Sequence, residues 1–368
     1  MNAVHTGSGL KVLLVGPVPP EMPVSTNPMG GTSVNFAEMV KQLCERGFDV
    51  AVVDTTRPRL NLPHWRRWFN NIATVMRVVG QTALRLPRSQ VVVLNISAGS
   101  AWTLGSCIWF FCATCRCPMA LRLFGGDFAR MYDRYGRLLR WWADHTFMRC
   151  DLVFVQTREL LNRFRQHVNF RWFANTRDLR PPSAEAPQAV SRLVFISQLR
   201  REKGLQETLE ACRDLPTHCQ LNVFGPPMPD TDMSLFDGSK AVYRGALNAH
   251  EVPGVLLQHD VLLLPTYWKS EGYPGIVLEA LQCGRPVITT WWRCVPEVVE
   301  DGKSGLLVEP RSAPSVREAI HRLANDPDLY RTLCKGARER GEFFRSGPWY
   351  DQMAKELCTL VRNPEKRG

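Results

Sequence analysis

Residues Asp260–Gly284 read DVLLLPTYWKSEGYPGIVLEALQCG, and the fold can be worked out from this stretch. DVLLLP is a short apolar run with the length and composition of a buried strand. Gly272, Pro274 and Gly275 then shape a tight turn, and Ile276, Val277, Leu278, Ala280 and Leu281 open an apolar helix that carries Glu279. Strand, tight turn and helix in that order make one β-α unit of a parallel sheet. Backbone N–H groups near Gly275, Ile276 and Val277 would point out of the helix N-terminus, where a phosphate binds favourably. Glu279, in the first helical turn, is placed to accept hydrogen bonds from a ribose diol. Glu271, ahead of the turn, is placed to reach a sugar on the far side of the phosphates. Two glutamates eight apart would equally suit a helix terminus and a solvated loop.

The alternation continues on both sides. Arg192–Ser197, Gln220–Gly225, Ala241–Arg244, Val261–Pro265, Pro286–Thr290 and Gly305–Val308 read as strands, with helices at Leu205–Cys212, His250–Gln258 and Gly275–Leu281 and a helical tail from Pro314 onward. The first half repeats the pattern. Lys11–Gly16, Val50–Asp54, Val91–Asn95, Met119–Phe124 and Leu152–Gln156 read as strands, separated by helices near Thr32–Arg46, Trp65–Leu86, Ala101–Cys115, Arg130–Arg149 and Thr157–Gln166. Asp178–Val190 (DLRPPSAEAPQAV) has three prolines and no apolar period, so it reads as a linker. The expectation is an α/β chain of two doubly wound domains, 1–180 and 181–345, with a C-terminal helix over 346–368 returning to the first. Such domains bind ligands near the carboxyl ends of their strands.

The 368 residues suffice for two domains of about 150–200 each. With 45% hydrophobic and 22% charged residues the chain is neither disordered nor fibrous. The net charge of +11 is unevenly spread. Residues 1–180 hold 23 Lys+Arg against 11 Asp+Glu, and residues 181–368 hold 23 against 24. The first half therefore faces something anionic: nucleic acid, a membrane surface or a phosphorylated substrate. Met1–Leu10 shows no secretory signal, so the 12 cysteines read as reduced, mostly buried cytosolic thiols. The uncharged stretch between Arg88 and Arg116 is broken by Asn95, Ser97, Gly99, Ser100, Thr103, Gly105 and Ser106, which suits a buried strand and core helix better than a membrane span.

The run from Tyr243 to Pro310, including HDVLLLPTYWKSEGYPGIVLEALQCGRPVITT and PEVVEDGKSGLLVEP, resembles the C-terminal half of the group 1 glycosyltransferases. These are retaining nucleotide-sugar transferases of GT-B fold, with two Rossmann-like doubly wound domains facing each other across a cleft; many build bacterial polysaccharide or lipopolysaccharide. The resemblance implies that Glu271 and Glu279 are the family's Glu-x7-Glu pair. It implies that Lys203, in FISQLRREKG, contacts the donor diphosphate, and that Gly31, in the Gly30-Gly31-Thr32 turn, lies near a phosphate with Thr32 or Ser33 capping the next helix. Two positions depart from the pattern. Gln198 stands where the family has an arginine, which leaves Arg200 and Arg201 as compensating cations. Phe124 stands where a histidine is common, which leaves Asp127 to handle the acceptor hydroxyl. The resemblance further implies a nucleoside diphosphate sugar as substrate, a glycan or lipid-linked acceptor, and no required divalent metal.

Other signals point elsewhere with less force. Asp230-Thr231-Asp232 has metal-binding spacing but sits in a polar loop, and Cys112, Cys115 and Cys117 lack a second ligand pair nearby. Arg130, Arg134 and Arg137, followed by Trp141 and Trp142, together with His64–Phe69 (HWRRWF), suggest an anionic membrane surface, or else solvated helix faces. A sugar-nucleotide epimerase or an inverting transferase would share the fold, but the glutamate pair opposes both. A nicotinamide oxidoreductase would need G-x-G-x-x-G after the first strand, and VGPVPPEMP lacks it. A nucleic-acid binder would explain the arginines but not the near-neutral second half. The favoured reading is a cytoplasmic, hexosyl-transferring enzyme, peripheral on the inner membrane face if it binds membrane at all.

Overall fold

A computed structural model describes residues 9–19, 31–56, 64–179 and 189–362. Residues 20–30, which include Gly30, and most of the proline-rich segment, 180–188, lie outside the described residues, as do the side chains at 64, 65, 67 and 68. The described residues group into two compact units, one holding those up to Ala174 and from Ser346 onward, the other Asn175–Arg345.

The first unit is a six-stranded parallel sheet of β1 (Lys11–Gly16), β2 (Asp49–Asp54), β3 (Val91–Ser97), β4 (Met119–Phe124), β5 (Leu152–Val155) and β6 (Phe170–Trp172), in the order β2-β1-β3-β4-β5-β6. β3 and β4 are buried nearly end to end, as a sheet covered on both faces requires. Its helices are α1 (Gly31–Glu45), α2 (His64–Arg85), α3 (Ala98–Ser100) continuing through a π-turn at Ala101–Gly105 into α4 (Ser106–Thr114), α5 (Phe128–Arg134), α6 (Arg137–Asp144) and α7 (Arg158–Arg163). The crossovers from β2 to β3 and onward all run in one direction across the sheet. Right-handed connection therefore puts α2, α4, α5, α6 and α7 on one face and α1 on the other. The last helix, Ser346–Arg362, packs on α1, and the buried guanidinium of Arg46 donates from Nε to Asp351 Oδ1 at 2.9 Å.

Some expected helices differ. The stretch Arg130–Arg149 is two helices and a 3-10 turn, because Tyr135 (φ −75°, ψ 145°) and Gly136 (φ −63°, ψ 165°) are extended and stop the helical hydrogen bonding. Arg137 is therefore on a different helix from Arg130 and Arg134. α1 begins at Gly31, so Thr32 and Ser33 lie inside its first turn rather than at its cap. The uncharged segment after Arg88 is β3 and the α3–α4 helix; no helix among the described residues is long and apolar enough to cross a membrane.

The second unit has β7 (Arg192–Ile196), β8 (Gln220–Phe224), β9 (Ala241–Tyr243), β10 (Val261–Leu263), β11 (Val287–Thr290) and β12 (Gly305–Val308), all parallel, in the order β12-β11-β10-β7-β8-β9. Its helices are α8 (Leu205–Ala211), α9 (Val252–Gln258), α10 (Gly275–Gln282), α11 (Ala313–Asn325) and α12 (Pro327–Phe343). The Ser346–Arg362 helix completes the series as α13. The expected continuous helical tail is broken at Asp326-Pro327, where Asp326 caps α12 by accepting from Leu329 N–H.

Candidate functional site

The direction of winding reverses between β7 and β10, which are hydrogen-bonded neighbours. A reversal of this kind opens a crevice beyond the strands' carboxyl ends. The two loops that leave there are Ser197–Gly204 and Leu264–Pro274, so sheet topology brings Lys203 and Glu271 together although 68 residues separate them. Gly204 adopts φ +80°, and a Cβ there would lie 2.3 Å from the Pro265 carbonyl oxygen. Glycine thus lets the first loop press against the second.

Lys203 Nζ donates to Glu271 Oε2 at 2.7 Å, and Thr266 Oγ1 donates to the same oxygen at 2.6 Å. The Glu271 side chain is only 7% exposed and that of Lys203 18%. A carboxylate this buried is held in place by its partners. Its loop is also laced to the one after β11. Trp292 Nε1 donates to Trp268 O at 2.9 Å, Arg293 donates to Lys269 O, the Cys294 thiol donates to Glu271 O at 3.3 Å, and Tyr273 Oη donates to the Glu297 carboxylate.

Glu279 lies on α10, and its partner is a residue that the sequence reading did not single out. Arg177 Nε donates to Glu279 Oε1 at 2.6 Å, with the two side chains 9% and 17% exposed. Arg177 Nη1 also donates to Thr176 O at 2.9 Å. The guanidinium lies against the start of α10, where a Cβ on Gly275 would be 2.0 Å from its terminal nitrogen. Gln282 anchors the same segment, donating from Nε2 to Arg177 O at 2.8 Å and accepting from Leu179 N–H at 2.9 Å. Of the three α10 amides expected to face a phosphate, Val277 N–H already donates to Pro274 O at 3.1 Å. Gly275 and Ile276 occupy the first two helical positions, whose amides have no partner within the helix. Glu271, Glu279, Lys203, Arg177 and the α10 N-terminus thus form two carboxylate–cation pairs beside a helix end.

The structure separates the two cations expected to compensate for Gln198. Arg200 Nε donates to Gln198 Oε1 at 3.0 Å, and its guanidinium sits 5.4 Å from the Trp268 ring centre, in the loop that carries Glu271. Arg201 instead faces Tyr267 and Glu207. It lines a separate cavity of about 510 Å³ with Glu202, Gln206 and Arg311. There, burial and the adjacent Glu207 push the Tyr267 phenol up to about 12. Burial likewise raises the Glu207 carboxyl above its ordinary value, and one of its oxygens is buried without a hydrogen-bond partner.

In the first unit, Gly31 opens α1, and among the described residues nothing lies within 4 Å of a would-be Cβ there. Asp127 precedes α5 and pairs through Oδ1 with Arg130 Nε at 3.3 Å. The Asp230-Thr231-Asp232 loop is a turn: Asp232 Oδ1 accepts from Ser234 N–H at 2.9 Å and Ser234 Oγ at 2.7 Å, bonds that lower its pKa. Among the described residues no three His, Cys, Asp or Glu side chains gather in a way that could hold a metal ion.

Residues 190–326 match the family described as Glycosyl transferases group 1. That match covers most of the second unit, and the chain's doubly wound units are of the GT-B fold class. It is similar to a protein provisionally assigned as the colanic acid biosynthesis glycosyltransferase WcaL of Salmonella typhimurium, with 29% identity over 199 residues, 48% of this chain and 47% of that one. The alignment thus spans about half the length of such a curated relative. In backbone it is similar to the sucrose-phosphate synthase of Thermosynechococcus elongatus, with TM-score 0.75 and 18% identity over 94% of this chain and 98% of that one. It is also similar to Anabaena Alr3699/HepE in complex with UDP, with TM-score 0.70 and 15% identity over 95% and 100% of the two chains. At these identities the two solved structures speak to fold alone.

Proposed function

We propose that the chain is a retaining glycosyltransferase. It moves a sugar from a nucleoside diphosphate sugar to a hydroxyl of a glycan or lipid-linked acceptor in cell-surface polysaccharide synthesis. The observation that carries this reading is the pairing of Lys203 with Glu271 and of Arg177 with Glu279 at the switch point beside the α10 N-terminus. Glu279 would hold the ribose. Lys203, the Gly275 and Ile276 amides, and Arg200 through its bond to Gln198 would face the diphosphate, and Glu271 would face the sugar ring. In transfer the bond from the anomeric carbon to the diphosphate oxygen breaks, and its electron pair leaves with the diphosphate. A new bond forms to the acceptor oxygen, whose proton passes to Asp127. Negative charge thus grows on the leaving group while positive charge grows on the ring, and preorganised groups of opposite sign stabilise both. A carboxylate beside the ring and a cation beside the phosphates suit that charge separation. The WcaL relative's name supports glycosyl transfer in polysaccharide synthesis.

The test is release of nucleoside diphosphate from a panel of UDP-, GDP-, ADP- and dTDP-sugars. The reading expects release from one donor class and its loss in Glu271→Gln. That substitution also strands the Lys203 ammonium, so the variant should melt roughly 6–12 °C lower and is assayed well below its transition, where circular dichroism shows it folded. No release from any donor, or full activity in Glu271→Gln, would sink it.

A further inference from the structure

α6 is turned inside out. A surface helix normally points its apolar stripe at the core, yet the one buried residue of α6 is Ala143. Leu138 is 76% exposed, Trp141 53% and Trp142 45%. These three stand at i, i+3 and i+4, so they form one stripe on one side of the helix. Trp142 Nε1 donates to Ser106 Oγ on α4 at 2.9 Å, and Phe110, one turn further along α4, is also exposed. α2 contacts α4 and adds a second exposed stripe of Phe69, Ile72 and Met76, again at helical spacing. All three helices cover the same face of the sheet, so these side chains belong to one surface.

The charges around this surface are of one sign. Nearby acids are already engaged: Asp127 with Arg130, Asp133 with Arg163, and Asp144 with the Tyr132 hydroxyl. Arg134 and Arg137 are exposed and, among the described residues, form no ion pair. Tryptophan and leucine on a helix flanked by arginines match an interface that is apolar within and anionic at its surface. A protein partner's apolar patch would satisfy the aromatics but not the unpaired cations.

We propose that the outer face of α2, α4 and α6 seats on an anionic lipid surface, with Leu138, Trp141 and Phe110 at the headgroup–acyl boundary and Arg134 and Arg137 on lipid phosphates. This surface lies wholly in the first unit and does not depend on the catalytic reading.

The test is cosedimentation of the full chain with phosphatidylcholine vesicles, with and without phosphatidylglycerol, while tryptophan emission is recorded. Binding is expected only with the anionic lipid, with a blue shift in emission, and weakening as salt rises. Arg134→Gln and Arg137→Gln should each lower the partition coefficient about fivefold, the equivalent of about 1 kcal/mol per basic residue. Leu138→Ser with Trp141→Ser should remove the blue shift and most of the binding. These side chains are exposed, so the melting transition of each variant should match the parent and exclude misfolding. No binding to the mixed vesicles, equal binding to neutral ones, or unchanged binding by the variants would overturn the proposal. So would concentration-dependent self-association lost in the Leu138→Ser, Trp141→Ser chain, which would make a second copy the occupant.

Discussion

Arg177 is the residue on which this account is most exposed to refutation. Replacing it by alanine leaves the Glu279 carboxylate, whose side chain is 17% exposed, without its counter-charge. Breaking a buried pair from one side costs about 3–5 kcal/mol, and the residual exposure favours the lower end. For a unit of this size about 3 kcal/mol lowers Tm by roughly 6–12 °C. Glu279→Gln should destabilise by a similar amount, since it strands the guanidinium, which is 9% exposed, at the positive end of α10. The two losses share one interaction, so the double variant should fall short of their sum by about 2 kcal/mol. Urea unfolding of the four proteins, followed by a probe in the second unit, measures this. Losses that add to within about 0.5 kcal/mol would show that the contact carries no coupling and that Arg177 does not hold Glu279.

Further expectations follow from the same geometry. Arg200→Ala should reduce kcat/KM for the donor on the order of tenfold, one charge-assisted bond of about 1.5 kcal/mol. Arg201→Ala, which faces Tyr267 and Glu207, should leave kcat/KM within about twofold; steady-state kinetics distinguish them, and the reverse order would refute the placement. Glu207 has a folded-state carboxyl pKa above its ordinary value, so its protonated form favours folding at low pH and that benefit is lost as pH rises through the raised pKa. Glu207→Gln should therefore stabilise the chain at pH 7 relative to the parent and much less at pH 4, read by thermal melts; equal gains at both would contradict this. Activity should survive a divalent-cation chelator, with Asp232 occupied in capping its own turn; loss restored by manganese would return Asp230 and Asp232 to the site.

The strand series was legible because strands buried on both faces, such as VVVLNIS and MALRLF, leave unbroken apolar runs. β6, three residues at a sheet edge, was not, since FRW has too few positions to show any period. The break at Gly136 escaped because the arginines at 130, 134 and 137 keep a helical period across it. Glu271 was legible from its place ahead of the tight turn and Lys203 through resemblance, but residues 68 apart give no local sign that they touch. Arg177 lay beyond reach for the same reason: its partner is 102 residues away, and nothing in ANTRDL marks which arginine the chain will bury. Trp141 and Trp142 on α6 and Phe69 on α2 were visible as composition, but only the side-chain positions place them outward.

The central claim is transfer with retention at the Glu271 site. The most direct measurement is the anomeric configuration of the transferred sugar, read from the anomeric proton coupling after reaction of the best α-linked donor with an alkyl glycoside acceptor. The account predicts an α-linked product from an α-linked donor, formed by the parent and not by Glu271→Gln. A β-linked product would contradict retention, and an α-linked product formed equally well without the Glu271 carboxylate would contradict its role.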